Sequence, residues 1–117
     1  MSIASAGKTI ALTALGAAVS TVALFVGDPE TTGVEVSGGS YARASSVAWT
    51  VRSDTLTNPN PIVWAKPTAS WGAVTHYAAY DGSGNRIFSG ALNRTVTLDS
   101  TTPALVLGAG TAFLRLT

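Results

Sequence analysis

Turn-forming residues interrupt the chain at short intervals, and this spacing limits its possible folds more than any other feature. Glycine, proline, aspartate, asparagine and serine cluster at residues 27–33, 37–39, 58–61, 66–67, 81–85, 89–90, 99–103 and 108–110. The segments between these breaks are short and rich in valine, threonine and aromatic residues. Short strands at regular spacing with turn signals between them are typical of a β-sandwich or barrel.

Alternation of side chains within the segments also predicts strands. In residues 73–81, Val74, His76, Ala78 and Tyr80 share one face of an extended chain. Similar alternation occurs in three other segments, residues 46–53, 93–99 and 111–117. None of these segments shows a helical stripe, so the helix expected in this chain lies near its N-terminus.

Residues 81–85 read as the turn of a β-hairpin that joins strand 73–80 to strand 85–89. Gly82 and Gly84 can adopt positive φ, and the flanking aspartate and asparagine can hydrogen-bond back to the backbone.

A second glycine turn lies in the stretch EVSGGSYAR, residues 35–43. No phosphate-loop pattern and no helix follow Gly38 and Gly39, which disfavours a ligand-binding loop. We therefore expect these two glycines to let the chain reverse, so that Glu35 and Arg43 pair across the turn.

The N-terminal segment is apolar and carries one lysine. Polar residues and Gly16 interrupt its apolar run, which disfavours both a signal peptide and a membrane span. The pattern predicts a short helix over residues 9–18 and a buried strand over residues 21–26. We divide the chain into residues 1–19, an apolar segment and candidate docking arm, and residues 20–117, a β domain.

The sparse charge excludes some classes of protein. Seven lysines and arginines and six acidic residues leave a net charge of +1, and the basic residues are scattered singly, unlike a nucleic-acid-binding face. Charged residues make up 11% of the chain, against about 25% in a typical soluble domain. The surface is therefore rich in serine and threonine or is buried against other subunits, and both fit an assembly component.

Candidate catalytic and metal-binding residues are few. The chain has no cysteine, and His76 is its one histidine. No nucleophile motif accompanies His76, so a half-buried structural histidine is the preferred interpretation and a small hydrolase or lyase is a remote alternative. We expect no cofactor and no metal site.

The three tryptophans are the largest apolar side chains, and together with His76 and Tyr80 they are candidate core or interface anchors. Trp71 begins a strand and is predicted to be a core anchor. Trp64 lies between two proline-bearing segments and is predicted to be a surface contact. A carbohydrate-binding module that uses Trp64 or Trp49 is a further alternative.

Residues 20–117 resemble a family of small virion proteins of tailed bacteriophages, labelled as tail-fibre or minor tail proteins. The matching motifs are Asp28-Pro29, the stretch 35–43, WGAVTH at residues 71–76, Tyr80-Asp81 and Gly90-Ala91-Leu92. The resemblance implies a non-enzymatic structural protein of the virion whose partners are tail proteins or the major capsid protein.

These observations together predict an all-β protein, a single compact antiparallel β-sandwich with a short apolar N-terminal helix or arm. The expected function is that of a tail or fibre component that acts through protein–protein contacts in a symmetric homo-oligomeric assembly. Decoration of the capsid is the main alternative. Neither nucleic acid nor membrane is an expected partner.

Overall fold

The computed structural model describes residues 4–45, 47–52, 54–110 and 112–115, with the backbone alone described for Phe113 and Arg115. Both ends of the chain, residues 1–3 and 116–117, which belong to the two predicted segments, lie outside the described residues. The described part forms one helix and ten strands: α1 (Ser5–Ala18), β1 (Thr21–Val26), β2 (Val34–Glu35), β3 (Ala44–Ser45), β4 (Thr50–Arg52), β5 (Thr55–Thr57), β6 (Ile62–Val63), β7 (Gly72–Tyr80), β8 (Arg86–Leu98), β9 (Val106–Leu107) and β10 (Phe113–Arg115).

Helix α1 starts earlier than the predicted residue 9 and ends at the predicted residue 18. It is rich in alanine and leucine, which favour helix, and β-branched residues follow it. The helix lies against β4 and β5 and buries Leu12 completely. A Cβ atom at Gly16 would lie 3.0 Å from Leu56 Cδ1 and 3.1 Å from Trp49 Cβ, so the glycine allows the helix to approach closely.

The main sheet has five antiparallel strands, with β1 between β7 on one side and β2 and β3 on the other. Strand β1 occupies the predicted residues 21–26 and buries four consecutive residues. Because both faces of β1 are covered, its sequence reads as a continuous apolar run instead of an alternation.

Strands β2 and β3 do not reverse on each other, contrary to the prediction for Gly38 and Gly39. Both strands pair antiparallel with β1, β2 opposite Phe25 and Val26 and β3 opposite Thr21 and Val22. They therefore run in the same direction along one edge of β1. Residues 36–43 form a loop that leaves this edge and returns to it, and the prediction failed because the true pairing partner is distant in sequence.

Three sheets share one apolar core. The second sheet has the order β10-β5-β4, and the third consists of β6 and β9. Strands hold 40% of the residues and all pairings are antiparallel, which confirms the predicted β character. The strands divide among three sheets instead of the two sheets of one sandwich. The radius of gyration is 14.6 Å, above the roughly 13 Å of a compact domain of this length, and the long axis measures 47 Å.

Strand β8 carries a large bulge, of several extra residues, where it pairs with β7. His76 faces Ala91 and Val74 faces Val96, so residues 92–95 of β8 stand opposite Thr75 alone. Bulges of this kind bend a strand and redirect its side chains. Nearby, Tyr77 crosses over Gly90, where a Cβ atom would lie 2.5 Å from the Tyr77 hydroxyl oxygen. The glycine is therefore needed for close packing.

The hairpin predicted between strands 73–80 and 85–89 is confirmed, but its second strand, β8, continues through the predicted break at residues 89–90 to Leu98. Asp81 Oδ1 accepts hydrogen bonds from the backbone N–H groups of Ser83 and Asn85, both at 2.9 Å. Gly82 and Gly84 both lie in this turn, and of the two Gly84 alone has a positive φ, of +86°. One left-handed residue is enough to close the turn, and Asp81 supplies the remaining constraint.

Candidate functional site

The loop of residues 36–43 is held by an ion pair at its two ends. Arg43 Nε donates to Glu35 Oε2 and Arg43 Nη2 donates to Glu35 Oε1, both at 2.8 Å. This bidentate geometry is the strongest form of an arginine–carboxylate pair. The two residues suggested by the sequence therefore lie in contact, where the loop meets the edge of β1.

Tyr41 connects this ion pair to the main sheet. Its hydroxyl donates to Glu35 Oε2 at 2.8 Å and accepts the backbone N–H of Leu24 at 3.1 Å. Its ring meets the ring of Trp71 edge to face, with centroids 5.3 Å apart. Sequence reasoning placed Tyr41 on the rim of a turn, whereas the structure places it between the loop and the sheet.

Trp71 is buried, as predicted, and anchors the middle of the loop. Its Nε1 donates to the carbonyl oxygen of Gly39 at 3.0 Å. A Cβ atom at Gly39 would meet the Thr68 hydroxyl and would lie 3.3 Å from Ala69 Cβ. Gly38 has a φ of +126° and Ser40 a φ of +63°, so the loop needs left-handed backbone on both sides of Gly39. The spacing of the EVSGGSYAR motif follows from these contacts.

Tyr80 packs against the arginine of the ion pair. The guanidinium of Arg43 lies over the Tyr80 ring, 4.0 Å from its centroid, a cation–π contact. Tyr80 also packs against a small cluster formed by Ala23, Phe25 and Ala78. The arginine thus links the loop to the face of the main sheet that carries this cluster.

The electrostatics of the cluster follow from these contacts. The Arg43 guanidinium, with help from Tyr41, holds the pKa of Glu35 below its usual range, although burial opposes the shift. Burial is the main cause that raises the pKa of Tyr41, and hydrogen bonding to Glu35 raises the pKa of Arg43. Both carboxylate oxygens of Glu35 are occupied, so the cluster positions a loop and offers no free base.

Removal of the Glu35 charge should show a defined dependence on pH. A carboxyl whose folded pKa is lowered stabilises the fold fully above its unfolded pKa, about 4.5, and loses this contribution as the pH falls through the folded value. We therefore expect the unfolding free energies of the wild type and Glu35→Gln to differ at neutral pH and to converge in acid. Urea unfolding at several pH values measures this difference.

Glu30→Gln is the matched control for this experiment, because it removes one exposed carboxylate from the turn of residues 27–33. A Glu35→Gln chain whose deficit stays constant from neutral to acidic pH would contradict the assigned role of the ion pair.

Trp64 does not lie at the surface, and this prediction was wrong. It is 2% exposed, and its Nε1 donates to the carbonyl oxygen of Val22 at 3.2 Å. Its backbone N–H donates to Leu105 O at 3.1 Å, so it sits where β1 and the third sheet meet. The prolines around Trp64 suggested an exposed loop, but they do not report the burial that distant segments provide.

Trp49 and His76 are both half-buried. The Trp49 ring meets Phe88 edge to face at 5.4 Å, and its Nε1 is buried without a hydrogen-bond partner among the described residues. The His76 Nδ1 lies 2.7 Å from Thr75 Oγ1, which accepts the backbone N–H of Gly27 at 2.8 Å. Either of these two atoms can be the donor, according to the tautomer of the imidazole.

Asn58 is a buried polar residue that sequence reasoning missed. Its Nδ2 donates to the carbonyl oxygens of Asn60 and Gly108, and its Oδ1 accepts the backbone N–H of Ala112. Asn58, which lies just before β6, is thereby bonded to Gly108, just after β9, and to Ala112, just before β10. The alternating asparagines and prolines of residues 58–61 were a signal for a turn, but they did not show which asparagine points inward.

The described residues contain no group of three histidine, cysteine or acidic side chains placed to hold a metal ion. Helix α1, the helix found in the described residues, is not long and apolar enough to cross a membrane.

Comparison of the sequence with models of protein families gives a match over most of the chain. Residues 6–111 match the model of the family described as Podophage GP4 fiber I protein gp80. The chain belongs to this family. The resemblance to tailed-phage fibre proteins, stated from the motifs of residues 20–117, is therefore confirmed, and the match to the podophage fibre family also covers most of α1.

Membership of the podophage fibre family makes the chain a tail-fibre-type protein, and hence part of the virion in association with other virion components. Comparison with curated proteins and with solved structures gives no match.

Proposed function

We propose that the chain is a non-enzymatic structural component of a podophage tail fibre that acts through protein–protein contacts in a symmetric assembly. The observation that carries this proposal is the match of residues 6–111 to the fibre I family. The low charge also supports it, because a chain in which 11% of the residues are charged has few charged groups to desolvate when it meets other subunits.

The contacts of the candidate residues support a role without catalysis. The contact between Thr75 and His76 is a hydroxyl–imidazole pair, but a nucleophilic centre also needs a third group that orients the imidazole. Among the described residues, none donates to or accepts from His76 Nε2. Glu35 is saturated by Arg43 and Tyr41, and Asp81 and Asp99 bond to their own turns.

The alternative of carbohydrate binding through Trp64 has lost its basis, because a sugar cannot stack on a ring that is 2% exposed. No structural observation favours capsid decoration, which becomes an outcome of the test below.

Immunogold labelling of intact virions tests the proposal. An epitope tag is inserted into the protein at the exposed hairpin turn of residues 82–84. We expect label on the tail fibres and a small copy number relative to the major capsid protein, measured by quantitative mass spectrometry. Label spread over the head, with a high copy number, would overturn the fibre role in favour of decoration. Virions that lack the protein would overturn both.

A further inference from the structure

Four exposed valines form two cross-strand pairs. Val26 and Val34, which are 38% and 68% exposed, face each other in β1 and β2. Val63 and Val106, which are 57% and 50% exposed, face each other in β6 and β9. Directly opposite side chains of an antiparallel pair lie on the same face, about 4.5–5.5 Å apart at Cβ. Each pair is therefore a small apolar patch, which we name the Val26–Val34 patch and the Val63–Val106 patch.

Charges of opposite sign border the two patches. Asp28 and Glu30 follow Val26 in the turn that connects the strands of the first patch. Arg86 Nη1 donates to the carbonyl oxygen of Pro29 between them at 2.7 Å, so this border carries two carboxylates and one guanidinium, a net negative charge. Arg94 lines the same cleft as Val106 of the second patch. Asp28, Glu30 and Arg94 belong to no ion pair within the described residues.

A cleft beside the Val63–Val106 patch can receive an apolar side chain. Its volume is about 180 Å³, and its apolar lining includes Leu92, Val96, Leu105 and Leu107. The large bulge of residues 92–95 in β8 forms one wall of the cleft and carries Arg94. The volume is below the roughly 300–1,000 Å³ of sites that enclose a small-molecule ligand. It therefore suits a side chain of a protein partner.

We propose that the Val26–Val34 patch of one copy docks on the Val63–Val106 patch of a second copy, with Val34 directed into the cleft and Asp28 and Glu30 facing Arg94. The inference rests on the proposed function as an assembly component, and it names the partner and the surfaces. Repetition of this contact would add copies head to tail, because each copy presents one patch of each kind.

Charge selects this pairing over the symmetric ones. A contact of two Val26–Val34 patches would bring four carboxylates and two Arg86 guanidinium groups together, a net negative charge on both sides, and a contact of two Val63–Val106 patches would bring two arginines together. Like charges directly opposite each other oppose association, whereas complementary charges favour it and set the register. A head-to-tail contact between unlike patches gives a closed ring or an open filament.

Cysteine cross-linking tests the contact, since the chain contains no cysteine of its own. Chains that carry Val34→Cys and chains that carry Val106→Cys are mixed and oxidised mildly. We expect the mixed disulfide dimer to exceed either homodimer. Ile10→Cys mixed with Val106→Cys is the matched control, because Ile10 is 72% exposed and lies in neither patch. A mixed dimer no more abundant than in this control would overturn the proposal.

Charge reversal provides a second test on the purified protein. We expect Arg94→Glu and Glu30→Arg each to lower the association constant up to about tenfold in sedimentation equilibrium. The chain that carries both reversals should regain most of the lost affinity. Both positions are exposed, and an unchanged melting temperature verifies the fold. Two reversals whose losses add without rescue would contradict the assigned contact.

The results separate this inference from the proposed function. Immunogold label on the fibres together with control-level cross-linking would leave the fibre role intact and remove the head-to-tail contact. Specific cross-linking of a protein that is absent from virions would remove the fibre role and leave the contact.

Discussion

Replacement of Trp64 with alanine should lower the free energy of unfolding by about 3–5 kcal/mol. The indole is 2% exposed in the core that the three sheets share, so its removal leaves a large cavity. It also leaves the carbonyl oxygen of Val22 without its donor. A domain of this size is stable by about 5–15 kcal/mol, so the variant should be close to unfolded at room temperature. Urea unfolding followed by circular dichroism measures the loss.

Two control variants isolate the cause of this loss. Ala65→Ser changes the neighbouring residue, which is exposed, and should alter stability by no more than about 0.5 kcal/mol. Trp64→Phe keeps most of the packing and loses the indole donor, so an intermediate loss of about 1–2 kcal/mol is expected. If Trp64→Ala unfolds at the same urea concentration as Ala65→Ser, Trp64 is not buried in solution. Loss of glycan binding in Trp64→Ala would report unfolding, not a sugar site.

The Asn58→Asp chain should lose about 3 kcal/mol or more at neutral pH. The Asn58 side-chain amide donates at 2.8 Å to Asn60 O and at 3.1 Å to Gly108 O, in a site with no exposed surface. A carboxylate of the same shape places a charged acceptor against two carbonyl oxygens. Burial raises the pKa of the introduced carboxyl, so the destabilisation should shrink as the pH falls and the group becomes a donor.

Asn60→Asp is the matched control, because Asn60 is exposed and takes part in the network through its backbone carbonyl. Thermal unfolding at neutral and acidic pH compares the two variants with the wild type. Equal melting temperatures for Asn58→Asp and Asn60→Asp would show that the Asn58 amide does not hold these segments together.

Local pattern predicted the elements whose partners are close in sequence or whose burial is continuous. Strand β1 lies at the predicted residues 21–26 because an unbroken apolar run is typical of a strand covered on both faces. The β7–β8 hairpin was predictable because alternation on both sides frames a turn with its own signals. Contact between Glu35 and Arg43 also needed little more than their short separation along the chain.

Local pattern failed where burial or pairing depends on distant segments. Trp64 is buried by Val22 and Leu105, each about forty residues away, and nothing near Trp64 in sequence indicates this. The loop of residues 36–43 looked like a reversal because its two flanking strands have no visible partner without β1. Asn58 and the exposed valine pairs are likewise defined by neighbours that only the folded chain brings together.

The pairing of β1 with β7 has a consequence for synthesis of the chain on the ribosome. Thr21 pairs with Tyr80 and Phe25 with His76, so β1 is made more than fifty residues before its neighbour. At roughly 5–20 residues per second, the nascent strand waits about 3–10 seconds for that neighbour to emerge. During this interval its apolar run Thr21–Val26 is open to chaperones and to nascent copies on the same messenger RNA.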